Sequence, residues 1–306
     1  MLRLNEIRKA AERSGARDIS KVEIDVILTF LLQLFVENGL TEHLAFKGGT
    51  LLRKMVFGPR GRLSTDLDFT RRTNLDLENL MLEFLGAFEN EYRGLSFDVH
   101  KDNGWYVAED SCGINPVCRH KDNQHGVKVK IQVSIRETPL IQVVAVNQIA
   151  QEYFKYFDFA PSAVPSLALE EVIAEKIRAA HQRSKIRDLH DLAQIAERDF
   201  DRKLVRSIAT LKLWASKGPG LDYSRLCQRI ESDDYDLADL TLLLRKDQRP
   251  SVANLIERVK TGFRFLTELT PQERALTLDS NGALRQEASA LAAFLAERAL
   301  QLDSAS

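Results

Sequence analysis

Phe46-Lys47-Gly48-Gly49-Thr50-Leu51-Leu52, a short connection, and then Arg62-Leu63-Ser64-Thr65-Asp66-Leu67-Asp68-Phe69 form the stretch on which the reading of this sequence turns. Leu44-Ala45-Phe46 is a short apolar strand. Paired glycines after a strand let the backbone turn and approach a ligand closely, because neither carries a Cβ. A helix from about Thr50 to Phe57 follows, and the unpaired N–H groups of its first turn suit a phosphate. Lys47 flanks the turn, and Thr50 is placed to cap the helix or touch a phosphate oxygen. Asp66 and Asp68 stand two apart on an extended segment, so both carboxylates project to one face, about 6.5–7 Å apart along the backbone, while Leu67 and Phe69 point into the core. Such a pair can converge on a hard cation, since Mg²⁺ takes one or two carboxylates together with substrate phosphates. Either half alone reads as an ordinary tight turn or a solvated strand face. Together they describe a phosphate cradle beside a metal site.

The remainder of the chain sets the frame. With 306 residues, 44% hydrophobic and 28% charged, it has the composition of a soluble globular protein long enough for two lobes. The net charge of −1 points to no class of partner, so any nucleic-acid argument rests on where the basic residues fall. Three cysteines, Cys112, Cys118 and Cys227, are too scattered for a disulfide framework, and their spacing with His120 fits no zinc knuckle. The first residues have no signal-peptide pattern, and the longest apolar run, Val26 to Val36, is far short of the ~20 residues of a membrane span. A cytoplasmic protein without membrane contact is expected.

Periodicity predicts helices over 3–13 and 20–38, the second with Ser20 as N-cap, Glu23 completing a capping box, and Gly39 as its stop. A further helix, 76–92, opens at Asp76. Between 95 and 145 the pattern is that of strands. The clearest, Val127 to Arg136, alternates without a break: Val127, Val129, Ile131, Val133 and Ile135 on one face, Lys128, Lys130, Gln132, Ser134 and Arg136 on the other. Val143 to Val146 and Tyr153-Phe154 add strand material. Ala160 to Ser166, with two prolines, reads as a lobe boundary unsuited to helix or central strand. Beyond it helices are expected over 167–183, 187–198, 201–216, 222–231, 235–246, 251–268 and 282–302. The class is α+β: an α/β lobe with a mixed sheet over 1–160 and an all-helical lobe over 161–306.

Two blocks in order resemble the AbiEii (MenT-type) nucleotidyltransferase toxins of the polymerase-β-like superfamily. The first is Gly48 to Leu52 with Arg62 to Phe69. The second is Leu169-Glu170-Glu171-Val172-Ile173-Ala174-Glu175-Lys176-Ile177-Arg178-Ala179, then Arg183 and Arg187-Asp188-Leu189-His190-Asp191-Leu192. They lie in the first two-thirds of the chain; nothing after about residue 200 adds a motif. The resemblance implies a polymerase-β-like nucleotidyltransferase lobe and transfer of NMP from an NTP to a hydroxyl, typically the 3′ end of tRNA. Asp66 and Asp68 would hold Mg²⁺, or Mn²⁺ in its place, with Gly48 and Gly49 along the triphosphate. Lys176 would steady phosphate charge from the far wall of the cleft, and Asp188 would orient the acceptor, the base or Lys176 itself. A cognate antitoxin is implied as partner.

Read unaided, Lys176, Arg178, Arg183, Lys185 and Arg187 put five cations within twelve residues, a fair contact for an RNA backbone or triphosphate, although such runs are usually solvated faces. Ser64, two residues before Asp66, shares its side if the strand begins that early. It is then a ligand at the nucleotide site or a target of self-modification; otherwise it is a turn serine. Superfamily members often carry a third carboxylate on a neighbouring strand, where this chain offers Gln132, which cannot ionise. Two other readings follow: a nucleotidyltransferase acting on a small-molecule or protein hydroxyl, and an inactive nucleotide-binding module.

Overall fold

The computed structural model describes residues 1–102, 104–232 and 234–303, and the chain folds as two units. The first takes 1–139, 143–166 and 241–248; the second takes 140–142, 167–240 and 249 onward.

In the first unit α1 (Leu4–Ser14) leads to α2 (Ile19–Glu37), which is buried on nearly every side, as its apolar run from Val26 to Phe35 requires. Its cap is Asp18, not Ser20: the Asp18 carboxylate accepts from the Ser20 amide at 2.8 Å. Glu23 is drawn elsewhere, into buried hydrogen bonds with His120 at 2.8 Å and Asn123 at 2.7 Å. Gly39, in the left-handed region at φ 76, follows the helix end. Next come β1 (Leu44–Lys47), α3 (Gly48–Leu51) continuing as a wide π-turn over Leu52–Phe57, β2 (Asp66–Arg71), and α4 (Leu77–Ala87) capped by Asp76. Then follow β3 (Ser96–Asp98), β4 (Trp105–Val107), β5 (Ser111–Ile114), β6 (Val117–His120), β7 (Asn123–Lys128), β8 (Lys130–Ser134), β9 (Val144–Val146) and β10 (Val164–Ser166). Seven strands form one mixed sheet in the order β4-β5-β8-β2-β1-β10-β9, and β3-β6-β7 form a second. The β1–β10 and β2–β8 pairs are parallel.

The single strand expected from Val127 to Arg136 is divided between these sheets. β7 pairs with β6, whereas β8 inserts between β2 and β5, and at the joint the Val129 amide donates to the Pro116 carbonyl at 3.0 Å. Val129, Ile131 and Val133 are all fully buried, so the alternation survives the break. Period-two patterning reports the face of a residue, not the partner of its strand. Val164–Ser166, expected to oppose a central strand, lies between β1 and β9. The β1 ladder touches it only through Phe46 and Ser166, so Pro165 interrupts little. Tyr153-Phe154 opens a 3₁₀ turn and is not a strand.

A buried ionic cluster anchors the turn after α3. The Lys54 ammonium donates to Asp25 Oδ1 at 2.9 Å, the Asp25 carbonyl at 2.8 Å and Thr29 Oγ1 at 2.8 Å, with Tyr153 OH a longer neighbour at 3.2 Å. Arg53 Nη2 reaches Asp25 Oδ2 at 3.3 Å, and the Tyr153 hydroxyl donates to the same oxygen at 2.8 Å. Burial alone would push the Asp25 carboxyl up; Lys54 and Arg53 outweigh it and hold the group below its usual range.

The second unit contains α5 (Leu169–Gln182), α6 (Ile186–Ile195), α7 (Arg202–Ala215), α8 (Tyr223–Ser232), the short α9 (Ala238–Thr241), α10 (Val252–Gly262), α11 (Pro271–Leu278) and α12 (Arg285–Asp303). Of the helix expected over 235–246 only α9 forms, and residues 241–248 return to the first unit, where the Leu243 carbonyl accepts from the Leu63 amide at 2.8 Å. The 251–268 segment divides into α10 and a 3₁₀ turn, and α11, opened by a Thr270–Glu273 capping box, was not anticipated. Buried Lys212 on α7 bridges Glu171 at 2.9 Å and Glu175 at 3.1 Å on α5.

Lys54→Met is expected to lower the unfolding free energy by about 3–5 kcal/mol in urea titration, because it removes one partner of a buried ion pair. Adding Asp25→Leu should not restore stability, since Arg53 would then lose its carboxylate.

Candidate active site

The first unit assembles its polar site from β1, the turn into α3, and β2. β1 runs antiparallel to β2 with Lys47 opposite Asp68, so the next residue, Gly48, turns directly over that carboxylate. Gly48 has φ +82, and a β-carbon there would lie 2.4 Å from Asp68 Oδ2 and 2.8 Å from Asp68 Cβ. Gly49 is less constrained: its φ is not positive, and a β-carbon there would meet the guanidinium end of Arg62, 2.5 Å from Nη2, with Ser64 Oγ at 3.4 Å. The two glycines therefore admit, side by side, a carboxylate and a guanidinium. Arg62 is 5% exposed. It belongs to the stretch read from sequence, yet no role was assigned to it; the pairing with Gly49 could not be seen without the fold.

Asp66 and Asp68 both start on the same face of β2 and are half-buried, while Leu67 and Phe69 are fully buried behind them. Asp66 Oδ1 is approached by Ser64 Oγ at 3.4 Å, and by the Thr65 amide and Thr65 Oγ1 at 3.3 Å each. Ser64 thus sits on the carboxylate side although β2 begins only at Asp66, and it is buried. The Thr50 hydroxyl is buried and donates to the Asp66 carbonyl, a strut between α3 and β2.

β8 runs parallel to β2 with Gln132 opposite Asp68. The position where a third carboxylate was sought therefore carries an amide, on the same face and directly adjacent. No cluster of three or more His, Cys, Asp or Glu side chains suited to a metal ion occurs among the described residues. The donor set that does occur, two half-buried carboxylates on one face with a hydroxyl and an amide beside them, still fits a hard divalent cation completed by phosphate oxygens and water. Cys112 and Cys118, both buried and free, lie in different sheets, and burial pushes the Cys118 thiol up to about 12.

The second unit holds the other candidates. Lys176 on α5 is buried and its ammonium meets Asp188 Oδ1 at 2.9 Å and Asp191 Oδ2 at 2.7 Å, both on the same face of α6. Asp188 also receives Arg183 Nε at 2.8 Å. Burial would raise the Asp188 carboxyl, but Lys176 and Arg183 hold it below its usual range. Of the basic run read as an RNA contact, Arg178 is turned inward and pairs with Glu175 at 3.0 Å, because its place on α5 faces the packed side of the helix. Arg183 and Lys185 are exposed, and Arg187 lies 3.7 Å from Asp239. His181 is buried near Asp222, Arg225 and Arg229; burial lowers its pKa to about 4.

A strand, a glycine turn into a helix, and two carboxylates on the neighbouring strand of a mixed sheet define a nucleotidyltransferase lobe. The family model described as Nucleotidyl transferase AbiEii toxin, Type IV TA system, matches residues 29–296. The solved structure of MenT4, nucleotidyltransferase toxin Rv2826c from Mycobacterium tuberculosis H37Rv, is similar at a TM-score of 0.79 and 26% identity, over 96% of this chain and 99% of that one. Two Helicobacter pylori structures, a putative nucleotidyltransferase and JHP933, each align at a TM-score of 0.49 and 20% identity over 80% of this chain, covering 97% and 93% of theirs. Among curated proteins none matches. The chain belongs to the AbiEii family of nucleotidyltransferase toxins of type IV toxin–antitoxin systems. No helix among the described residues is long and apolar enough to cross a membrane.

Gly48→Ala should lower nucleotidyl transfer by about 100-fold, as expected when a reacting group is displaced by about an ångström. The positive φ should cost about 1–2 kcal/mol of stability, and shifting Asp68 away from the new β-carbon should add to it. Steady-state kinetics beside thermal melts separate the two. For His181, the folded-state pKa lies below the unfolded value, so stability is intact above about pH 6.5. It is lost as pH falls towards 4, by about 3 kcal/mol in all. His181→Phe should flatten that part of a pH–stability profile recorded in urea.

Proposed function

We propose that this toxin is a divalent-metal-dependent enzyme that moves NMP from an NTP to the 3′ end of tRNA and so blocks translation. The observation that supports it most is the close approach of Gly48 to Asp68, which joins a phosphate-sized turn to a pair of carboxylates. Asp66 and Asp68 would hold Mg²⁺, which when bound offsets the negative charge of the triphosphate and of the departing pyrophosphate. Lys47 and the backbone of Gly48 and Gly49 would orient the triphosphate along the turn, with the Ser64 hydroxyl beside Asp66. The reaction would depend on positioning and charge complementarity more than on covalent chemistry by the protein.

Gln132 can neither take nor carry a proton as a carboxylate would. Acceptance of the attacking hydroxyl's proton therefore falls to Asp66, Asp68 or water. Lys176 would steady phosphate charge. Its two carboxylate partners support the reading that Asp188 orients the lysine, since the ammonium is held between them at 2.9 and 2.7 Å. Exposed Arg183 and Lys185, with Arg187, would contact the RNA backbone, whose phosphates dominate nucleic-acid affinity. A cognate antitoxin is the partner expected from the family.

The test is to incubate purified protein with Mg²⁺ and each labelled NTP, separately with bulk tRNA, a protein lysate and small alcohols. Label at the tRNA 3′ end is expected, falling at least about 1,000-fold for Asp66→Ala and Asp68→Ala, with loss of growth arrest on expression. Label entering only protein or small alcohols would overturn the choice of tRNA.

A further inference from the structure

Traced across the strands, the large sheet has a row running away from the carboxylates. Lys47 pairs with Asp68, Asp68 with Gln132, Gln132 with Gly113, and Gly113 with Tyr106. Residues directly opposite one another on neighbouring strands project to the same face, so Tyr106 stands on the face of Asp68. Gly113 is a gap in that row, and the Tyr106 ring fills it: a β-carbon on Gly113 would lie 2.7 Å from Tyr106 Cε1 and 3.0 Å from Cζ. The ring thus folds inward over the sheet, although β4 is the edge strand.

The ring is half-buried, while Trp105 and Val107, on the opposite face of β4, are 47% and 50% exposed. Two strand spacings separate Asp68 from Gly113, about 10 Å. That is the scale of one nucleotide from phosphate to base. Between them lies only the Gln132 amide, a neutral group that offers both a donor and an acceptor. The row therefore passes from charged groups, through an amide, to an aromatic face.

We propose that Tyr106 is a stacking platform for a nucleobase whose phosphate lies at Asp68, belonging either to the incoming NTP or to the terminal nucleotide of the acceptor. The inference rests on the nucleotidyl-transfer reading of the Asp66–Asp68 site. Stacking needs the ring and not the hydroxyl, so Tyr106→Phe should keep both KM values within about twofold of the parent. Tyr106→Ala should raise KM about 5- to 100-fold for one substrate, with kcat changed by no more than about threefold. A rise for the NTP assigns the incoming base; a rise for tRNA assigns the acceptor. Trp105→Ala should alter neither, and binding of inorganic tripolyphosphate, which has no base, should be equal in parent and Tyr106→Ala.

Equal damage by Phe and Ala, unchanged KM values in Tyr106→Ala, a loss confined to kcat, or weaker tripolyphosphate binding would each overturn the platform. If the parent labels no tRNA, the acceptor assignment fails by itself. Calorimetric binding of each NTP and of tRNA to the parent, Tyr106→Phe and Tyr106→Ala then decides the platform separately, and equal affinities in all three would reject it.

Discussion

The contact on which the site depends is the one between the Gly48 backbone and the Asp68 carboxylate. Antiparallel register places Lys47 opposite Asp68, so the chain must leave β1 directly above that side chain. With 2.4 Å between Oδ2 and the place of a β-carbon, only glycine can turn there. The same turn aims α3, whose Thr50 hydroxyl ties back to the Asp66 carbonyl, and the buried Lys54–Asp25 cluster holds the following segment against α2. A carboxylate pressed against backbone keeps few rotamers. The close approach thus restricts Asp68 before any ligand arrives, which lowers the ordering cost of binding.

Features set by local periodicity were legible in the sequence; features set by partner choice were not. α1, α2 and β2 follow from spacing, and the shared face of Asp66 and Asp68 follows from the two-residue repeat. Nothing in the alternation from Val127 to Ser134 shows that the chain changes sheets at Val129, because the buried face continues across the joint. Ser20 and Glu23 satisfy a capping-box pattern, but Asp18 lies two residues earlier with a stronger acceptor, and Glu23 has a better partner in buried His120. Pro165 argued against a strand, yet a three-residue strand with one ladder contact on the β1 side tolerates it. The identity of the carboxylates was local, whereas the pairing of Gly49 with Arg62 and of Gly113 with Tyr106 is a property of the assembled sheet.

The basic run from Lys176 to Arg187 shows how composition misstates a surface. Five cations in sequence suggest one positive face, but helix geometry distributes them. Lys176 is neutralised by two aspartates three apart on α6, Arg178 is turned inward to Glu175, and Arg183 shares Asp188 with Lys176. Asp188 and Asp191, three residues apart, share a face by helical spacing alone. What they clamp cannot be read from that spacing, because α5 supplies it. A buried ammonium between two carboxylates is held in one orientation and cannot swing as a surface lysine does, which suits a group required to be in place more than one required to be mobile.

Gln132 gains a meaning from its neighbours that it lacks as an isolated departure from a carboxylate pattern. A third acid beside Asp68 would add negative charge where the proposed reaction brings a triphosphate, and would need a cation to offset it. An amide in the same register costs no charge and presents donor and acceptor together. With Gly113 beyond it the sheet surface stays low enough for the Tyr106 ring to lean inward. The amide and the bare glycine act in the same direction: they leave the outer half of the row suited to a planar, uncharged group. The polarity of the row, from Lys47 and Asp68 at one end to Tyr106 at the other, matches the polarity of a nucleotide laid across it.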